Sequence, residues 1–184
     1  MRQILITDAA RQGDPAVLAA RLPRGSLVLL RDYEAPDRRA RATRLAALAR
    51  QRGLYLLIAA DHHLACHVGA AGVHLPGRQL WAPDPAVLAA HRAGRLWLTA
   101  ACHDGRDLAR AGALHVDMAI LSPVFPTRSH PGGRVLGLHR FARLARSSPV
   151  PVAALGGIGA VGARRLKAVP GVVAVAGIDG FPLA

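Results

Sequence analysis

Lysine is almost missing from this chain. Lys167 is the only one, so the formal charge of +13 is carried by arginine, beside abundant Ala, Gly and Pro. Coding bias toward GC-rich codons gives that composition as readily as a polyanion partner does. Aromatic residues are 4% of the chain, too few to interleave with cations as base-stacking platforms. Nucleic acid is therefore not expected as the main partner. The two cysteines, Cys66 and Cys102, have no metal-ligand spacing and make no disulfide framework, which suits buried thiols in a reducing compartment. No apolar run approaches the ~18 residues of a membrane span. The N-terminus, Met1 to Asp8, runs straight into a strand pattern without the apolar region and cleavage site of a signal peptide. A cytoplasmic location is expected. No GxGxxG follows the first strand, which counts against a dinucleotide fold.

What is present is alternation. Strand patterns fall at 3–7, 26–30, 54–59, 72–75, 95–99, 116–121, 150–154 and 171–176, and helix patterns between them. Asp14-Pro15, Asp61 and Asp104 read as helix caps, and Gly53 and Gly69 as helix stops. Eight strands separated by seven helices predict a single domain over 1–184, a parallel (β/α)8 TIM barrel. No eighth helix follows Ala176, so the barrel is abbreviated. Its uncovered apolar face leads us to expect a homodimer packing Phe181, Leu183 and neighbouring outer-face residues.

The densest chemistry lies between Val116 and Gly157. An apolar run, Met118 to Leu121, breaks at Ser122-Pro123-Val124-Phe125-Pro126-Thr127. A loop rich in Gly, Pro, Arg and His follows. A second apolar run, Val150 to Leu155, stops at Gly156-Gly157-Ile158-Gly159. Ligands of parallel α/β folds sit at the C-terminal strand edge. There the loop offers Thr127, Arg128, Ser129 and Arg134, and glycines leave backbone N–H groups open to an anion. Phosphate is the ligand these residues suggest. Hydroxyls in such a loop also satisfy local backbone. Other residues have ordinary readings beside functional ones. Arg31 at a strand end could contact ligand or pair with Asp32. His63 and His67 have the spacing of a metal pair but no acidic third ligand nearby. His74 and His103 read as hydrogen-bonded structural histidines, and the arginines of 38–52 as a solvated helix face.

These residues resemble the thiamine phosphate synthase family, which includes the TenI-type proteins. Ser122 to Thr127 is similar to the family's Gly-Pro-Val-Phe-Pro-Thr, and Pro151 to Ile158 to its Pro-Val-Val-Ala-Ile-Gly-Gly-Ile. Gly69 to Leu75 is similar to Gly-Ala-Asp-Gly-Val-His-Leu, and Ile6-Thr7-Asp8 to the end of its first strand. The resemblance implies a (β/α)8 barrel. It also implies an enzyme joining hydroxymethylpyrimidine diphosphate to thiazole phosphate, with magnesium bound and diphosphate released.

By the same resemblance, Arg31, Thr127, Ser129 and His130 become candidate catalytic residues. Arg128, Arg134, Gly156, Gly157 and Gly177 become candidate phosphate-binding residues, and Asp61 the candidate magnesium ligand. The chain departs from the family pattern at several of these positions. Gln79 replaces the second metal carboxylate, His130 the lysine of the sixth-strand loop, and Ala60 the asparagine before Asp61. Pro123 stands where the TenI branch has its histidine. A weak or absent magnesium site is therefore expected. Two alternatives remain: a TenI-like phosphate-binding relative without synthase activity, and a basic protein that binds a polyanion. Cations converging on the strand rim would favour a phosphate site. A stripe across the outer helices would favour a polyanion.

Overall fold

The computed structural model describes residues 1–127 and 132–178. Eight parallel strands close in chain order: β1 (Arg2–Ile6), β2 (Leu27–Leu30), β3 (Tyr55–Ala59), β4 (Gly72–Leu75), β5 (Trp97–Cys102), β6 (Met118–Leu121), β7 (Val152–Leu155) and β8 (Val172–Gly177). β8 pairs back onto β1, with Ile4 opposite Ala176 and Leu5 opposite Gly177. Period-two alternation divides the strand side chains into two cores. Ile4, Ile6, Leu27, Leu29, Leu57, Met118, Ile120, Ala153 and Ala174 fill the barrel interior. Leu5, Val28, Leu30, Leu56, Ile58, Leu98 and Val175 face outward beneath the helices.

Helices between the strands are α1 (Ala9–Gln12), α2 (Pro15–Ala19), α3 (Arg38–Arg52), α4 (His62–Val68), α5 (Gly77–Trp81), α6 (Pro85–Arg92), α7 (Gly105–Ala113), α8 (Gly137–Arg146) and α9 (Ala160–Lys167). Asp14, Asp61 and Asp104 cap helices as the sequence implies, and Asp84, not among them, does the same for α6. Asp14 accepts from the Ala16 N–H, Asp61 from Leu64, Asp84 from Ala86, and Asp104 from Arg106 and Asp107. These bonds satisfy N–H groups that a helix start leaves without partners.

Sequence periodicity misses two elements. α1 and α5 have 4 and 5 residues, too short to establish a helical repeat. β5 also runs to Cys102 rather than stopping at Thr99. Small residues there carry little propensity, and pairing decides: Ala100, Ala101 and Cys102 lie opposite Ala119, Ile120 and Leu121. No helix follows β8 among the described residues, and Val173 on that strand is 42% exposed. Phe181 and Leu183 lie outside the described residues. No helix among those described is long and apolar enough to cross a membrane.

Candidate active site

The C-terminal ends of the strands surround a cavity of about 920 Å³. Its walls bring together residues far apart in sequence: Arg31 and Tyr33 after β2, His74 on β4, His103 after β5, Thr127 and Arg134 beyond β6, Gly156 and Gly157 after β7, and Gly177 at the end of β8. A second cavity, of about 730 Å³, opens at the opposite end of the barrel around Trp97, Thr99 and Met118. It lies at the strand N-termini and includes neither the paired glycines nor Arg31. The chemistry gathers at the C-terminal mouth.

Arg31 enters the cavity by strand parity. Leu27 and Leu29 point inward on β2, so Arg31 follows them while Asp32 turns outward. The alternative pairing with Asp32 does not form. Arg31 donates instead to Asp8 Oδ2 at 3.2 Å. Asp32, nearly buried, accepts from the Ala9 N–H at 2.7 Å and faces Arg41. The Asp8 N–H donates to Gln12, whose amide donates in turn to the Ile6 and Ile178 carbonyls. α1 thereby links the β1 loop to the chain just past β8. Burial pushes the Tyr33 hydroxyl up from its ordinary value, against the opposing pull of Arg31 and Arg38.

The paired glycines form the far wall. Gly156 and Gly157 have φ of 105° and 62°, in the region that disfavours any side chain. The Val124 N–H donates to Leu155 and the Phe125 N–H to Gly156, folding the β6 loop over them. A Cβ on Gly157 would stand 2.2 Å from the Pro126 carbonyl oxygen. Close packing is thus a sufficient reason for glycine here. It also leaves the Gly156 and Gly157 N–H groups without a backbone partner among the described residues, available to an anion.

The two cavity histidines are hydrogen-bonded, as expected. His74 Nδ1 lies 2.9 Å from Thr99 Oγ1, and His103 Nδ1 lies 2.9 Å from the Ser122 carbonyl oxygen. Full burial, helped by the Arg31 charge, lowers the His74 pKa to about 4, so its ring is neutral at pH 7. Arg128, Ser129 and His130 lie outside the described residues.

Both oxygens of Asp61 are already engaged by donors of this chain, although the side chain is 35% exposed. Oδ1 accepts from the Leu64 N–H at 2.8 Å and Oδ2 from Arg38 Nη1 at 3.1 Å. Gln79 points its amide N–H toward the Ala60 carbonyl at 3.4 Å, a donor where the family pattern has a carboxylate. No three His, Cys, Asp or Glu side chains gather around one point among the described residues. Magnesium wants near-octahedral oxygen ligands with one or two carboxylates, and this donor set does not fit it. His67 bonds to Arg39 rather than joining His63 as a metal pair.

Several arginines outside the cavity are engaged locally, whereas Arg140, Arg143 and Arg146 on α8 and Arg164 and Arg165 on α9 are exposed. Arg41 and Arg44 pair with Asp37, and Arg50 donates to the Val68 carbonyl. Inside it, Arg11, Arg31 and Arg134 line the wall. Sequence reading missed Asp8, Gln12 and Arg38. Asp8 and Arg38 each bond a residue of the neighbouring βα unit, and Gln12 reaches Ile178 only because β8 closes onto β1.

The fold and the site together define a (β/α)8 barrel with arginines and paired glycines at its C-terminal mouth. Comparison then places the chain: residues 4–181 match the family model described as thiamine monophosphate synthase, and the chain belongs to that family. It is 34% identical over 137 residues to the thiamine-phosphate synthase of Thiobacillus denitrificans, covering 71% of this chain and 61% of that protein. It is 35% identical over 156 residues to the enzyme of Chromobacterium violaceum, covering 82% of this chain and 72% of the relative. This chain thus spans about three fifths of the length of the Thiobacillus protein. Thiamine phosphate pyrophosphorylase from Pyrococcus furiosus has a similar fold, with a TM-score of 0.76 at 24% identity over 96% of this chain and 85% of its own.

Proposed function

We propose that this chain binds phosphorylated thiamine precursors and joins hydroxymethylpyrimidine diphosphate to thiazole phosphate, releasing diphosphate with slow turnover. The observation that carries this reading is the convergence of Arg31, Arg134 and the Gly156-Gly157 N–H groups on one cavity at the strand C-termini. Fixed cations and open N–H groups suit phosphate oxygens, and the apolar remainder of the wall, including Ile6, Leu29 and Ile120, suits flat heterocycles. Incubating the chain with both precursors and measuring thiamine phosphate tests the reaction, and titrating each precursor alone tests binding. Binding of neither precursor would refute the reading. Binding of both without product would favour the TenI-like alternative.

A further inference from the structure

Resting on that reading, we propose that this chain binds its phosphorylated ligand without a divalent metal, because Arg38 holds Asp61 in an ion pair where the family pattern has a magnesium ligand. Arg38 reaches from the start of α3 to the end of β3. There Nη2 donates to the Ala59 carbonyl at 2.6 Å and Nη1 to Asp61 Oδ2 at 3.1 Å. Its side chain is 15% exposed, and its guanidinium carbon lies 5.9 Å from the ring centroid of Tyr33, a cavity-wall residue.

A magnesium ion on Asp61 would share the carboxylate with that guanidinium and be repelled by it, or displace it. Arg38 Nε is buried and lacks a hydrogen-bond partner, so losing Asp61 would leave a mostly buried guanidinium with the Ala59 carbonyl as its one acceptor among the described residues. Uncompensated buried charge is strongly disfavoured. The other oxygen of Asp61 caps α4, so turning the carboxylate toward a metal would also give up the Leu64 N–H bond. Across the strand end, Gln79 presents an N–H toward Ala60. Two donors, from Arg38 and Gln79, thus face the β3 terminus, where a cation would need acceptors. The positive charge met by a ligand is then permanent: Arg31 and Arg134 in the cavity wall. Arg38 is a positioning residue in this scheme, acting through Asp61 and not on the ligand.

The test is calorimetric titration of inorganic diphosphate into the full chain, in EDTA and in excess magnesium chloride, corrected for magnesium diphosphate formed in solution. Equal affinity, within about twofold, is expected for the unaltered chain. Tightening by magnesium of about tenfold or more, equivalent to about 1.4 kcal/mol, overturns the proposal. Arg38→Ala should release Asp61 and create a magnesium response of about tenfold, which Arg38→Ala with Asp61→Asn should remove. A folded Arg38→Ala chain that stays indifferent to magnesium overturns the role given to Arg38. If that variant does not fold, the two-buffer comparison on the unaltered chain still decides. Diphosphate binding in neither buffer refutes the proposed function itself, and binding only with magnesium refutes this inference alone.

Discussion

Gly157 lies so close to Pro126 that a Cβ on the glycine would stand 2.2 Å from the proline carbonyl oxygen. Contact of that kind ties the end of β7 to the loop after β6, and it joins two motifs that the sequence shows only as separate runs. Gly157→Ala would add both this collision and an unfavourable φ of 62°. A loss on the order of 3 kcal/mol is expected, read as a lower midpoint in urea unfolding. Gly77→Ala is the control. It meets nothing within 4 Å, and its helical position favours alanine, so an equal loss there would sink the packing explanation.

His74 should make the fold sensitive to acid. Its folded pKa is about 4, against an ordinary value of 6.5, with burial the main cause and the Arg31 charge second. Between those values the unfolded chain takes up a proton that the folded chain refuses. Stability from this group is full above pH 6.5 and falls as pH drops toward 4, by about 3 kcal/mol in total. Denaturant unfolding at pH 7 and pH 4.5 measures the fall. In His74→Gln the difference between the two pH values should shrink by about 2 kcal/mol. An unchanged difference would place the proton uptake on another group.

The two thiols should separate cleanly. Cys66 is exposed on α4, and Cys102 is fully buried at the end of β5. Burial, then the charges of Asp107 and Asp104, pushes the Cys102 thiol up to about 12. Thiolate is the reactive form. Iodoacetamide should therefore label the native chain at Cys66 alone and reach Cys102 only in denaturant. Comparable native rates at both positions would contradict the structure. The sequence expectation that both are buried holds for Cys102 and not for Cys66. A helix face of mixed histidine and small residues gives no period from which to tell inside from outside.

Much of the barrel is legible from period and punctuation. Leu27, Leu29 and Arg31 share one face because strand parity is strict, and the aspartate caps mark helix starts by chemistry that acts within three residues. The site is legible only where a motif is local, as at Gly156-Gly157. Arg31–Asp8 and Arg38–Asp61 each join residues 23 apart, across neighbouring βα units. Neither pairing has a local signature. Arg38 read as one of several arginines on a solvated helix because composition cannot separate the one that turns inward. Its position depends on how far α3 extends past β3.

Arg31 offers a test that separates ligand binding from stability. Its side chain is 35% exposed and that of Asp8 18%, so water screens the pair and its worth to the fold is at most about 1 kcal/mol. A phosphate oxygen in the cavity would gain a charge-assisted hydrogen bond from the same guanidinium. Arg31→Ala should weaken inorganic phosphate binding about tenfold while moving the urea midpoint little. The reverse pattern, a large stability loss with unaltered binding, would make Arg31 a structural ion pair only.

Turnover should be slow for a reason visible at β3. Breaking the bond from a pyrimidine methyl carbon to diphosphate builds negative charge on the leaving group. Charges aimed at that group lower the barrier, whereas cations that hold substrate and transition state equally do not. Asp61 is engaged by Arg38, and Gln79 has no charge. Arg31 and Arg134 line the cavity, and among the described residues neither has a side-chain ion pair beyond that of Arg31 with Asp8. Thiamine phosphate formation is expected at least ~100-fold below that of a relative with both carboxylates, about 2.7 kcal/mol in the barrier. Gln79→Asp alone should gain little, because Asp61 remains paired. Gln79→Asp with Arg38→Ala should gain magnesium-dependent turnover. Rates for the three chains, with and without magnesium, measure this. Fast turnover by the unaltered chain would show that arginines without a metal suffice for the leaving group.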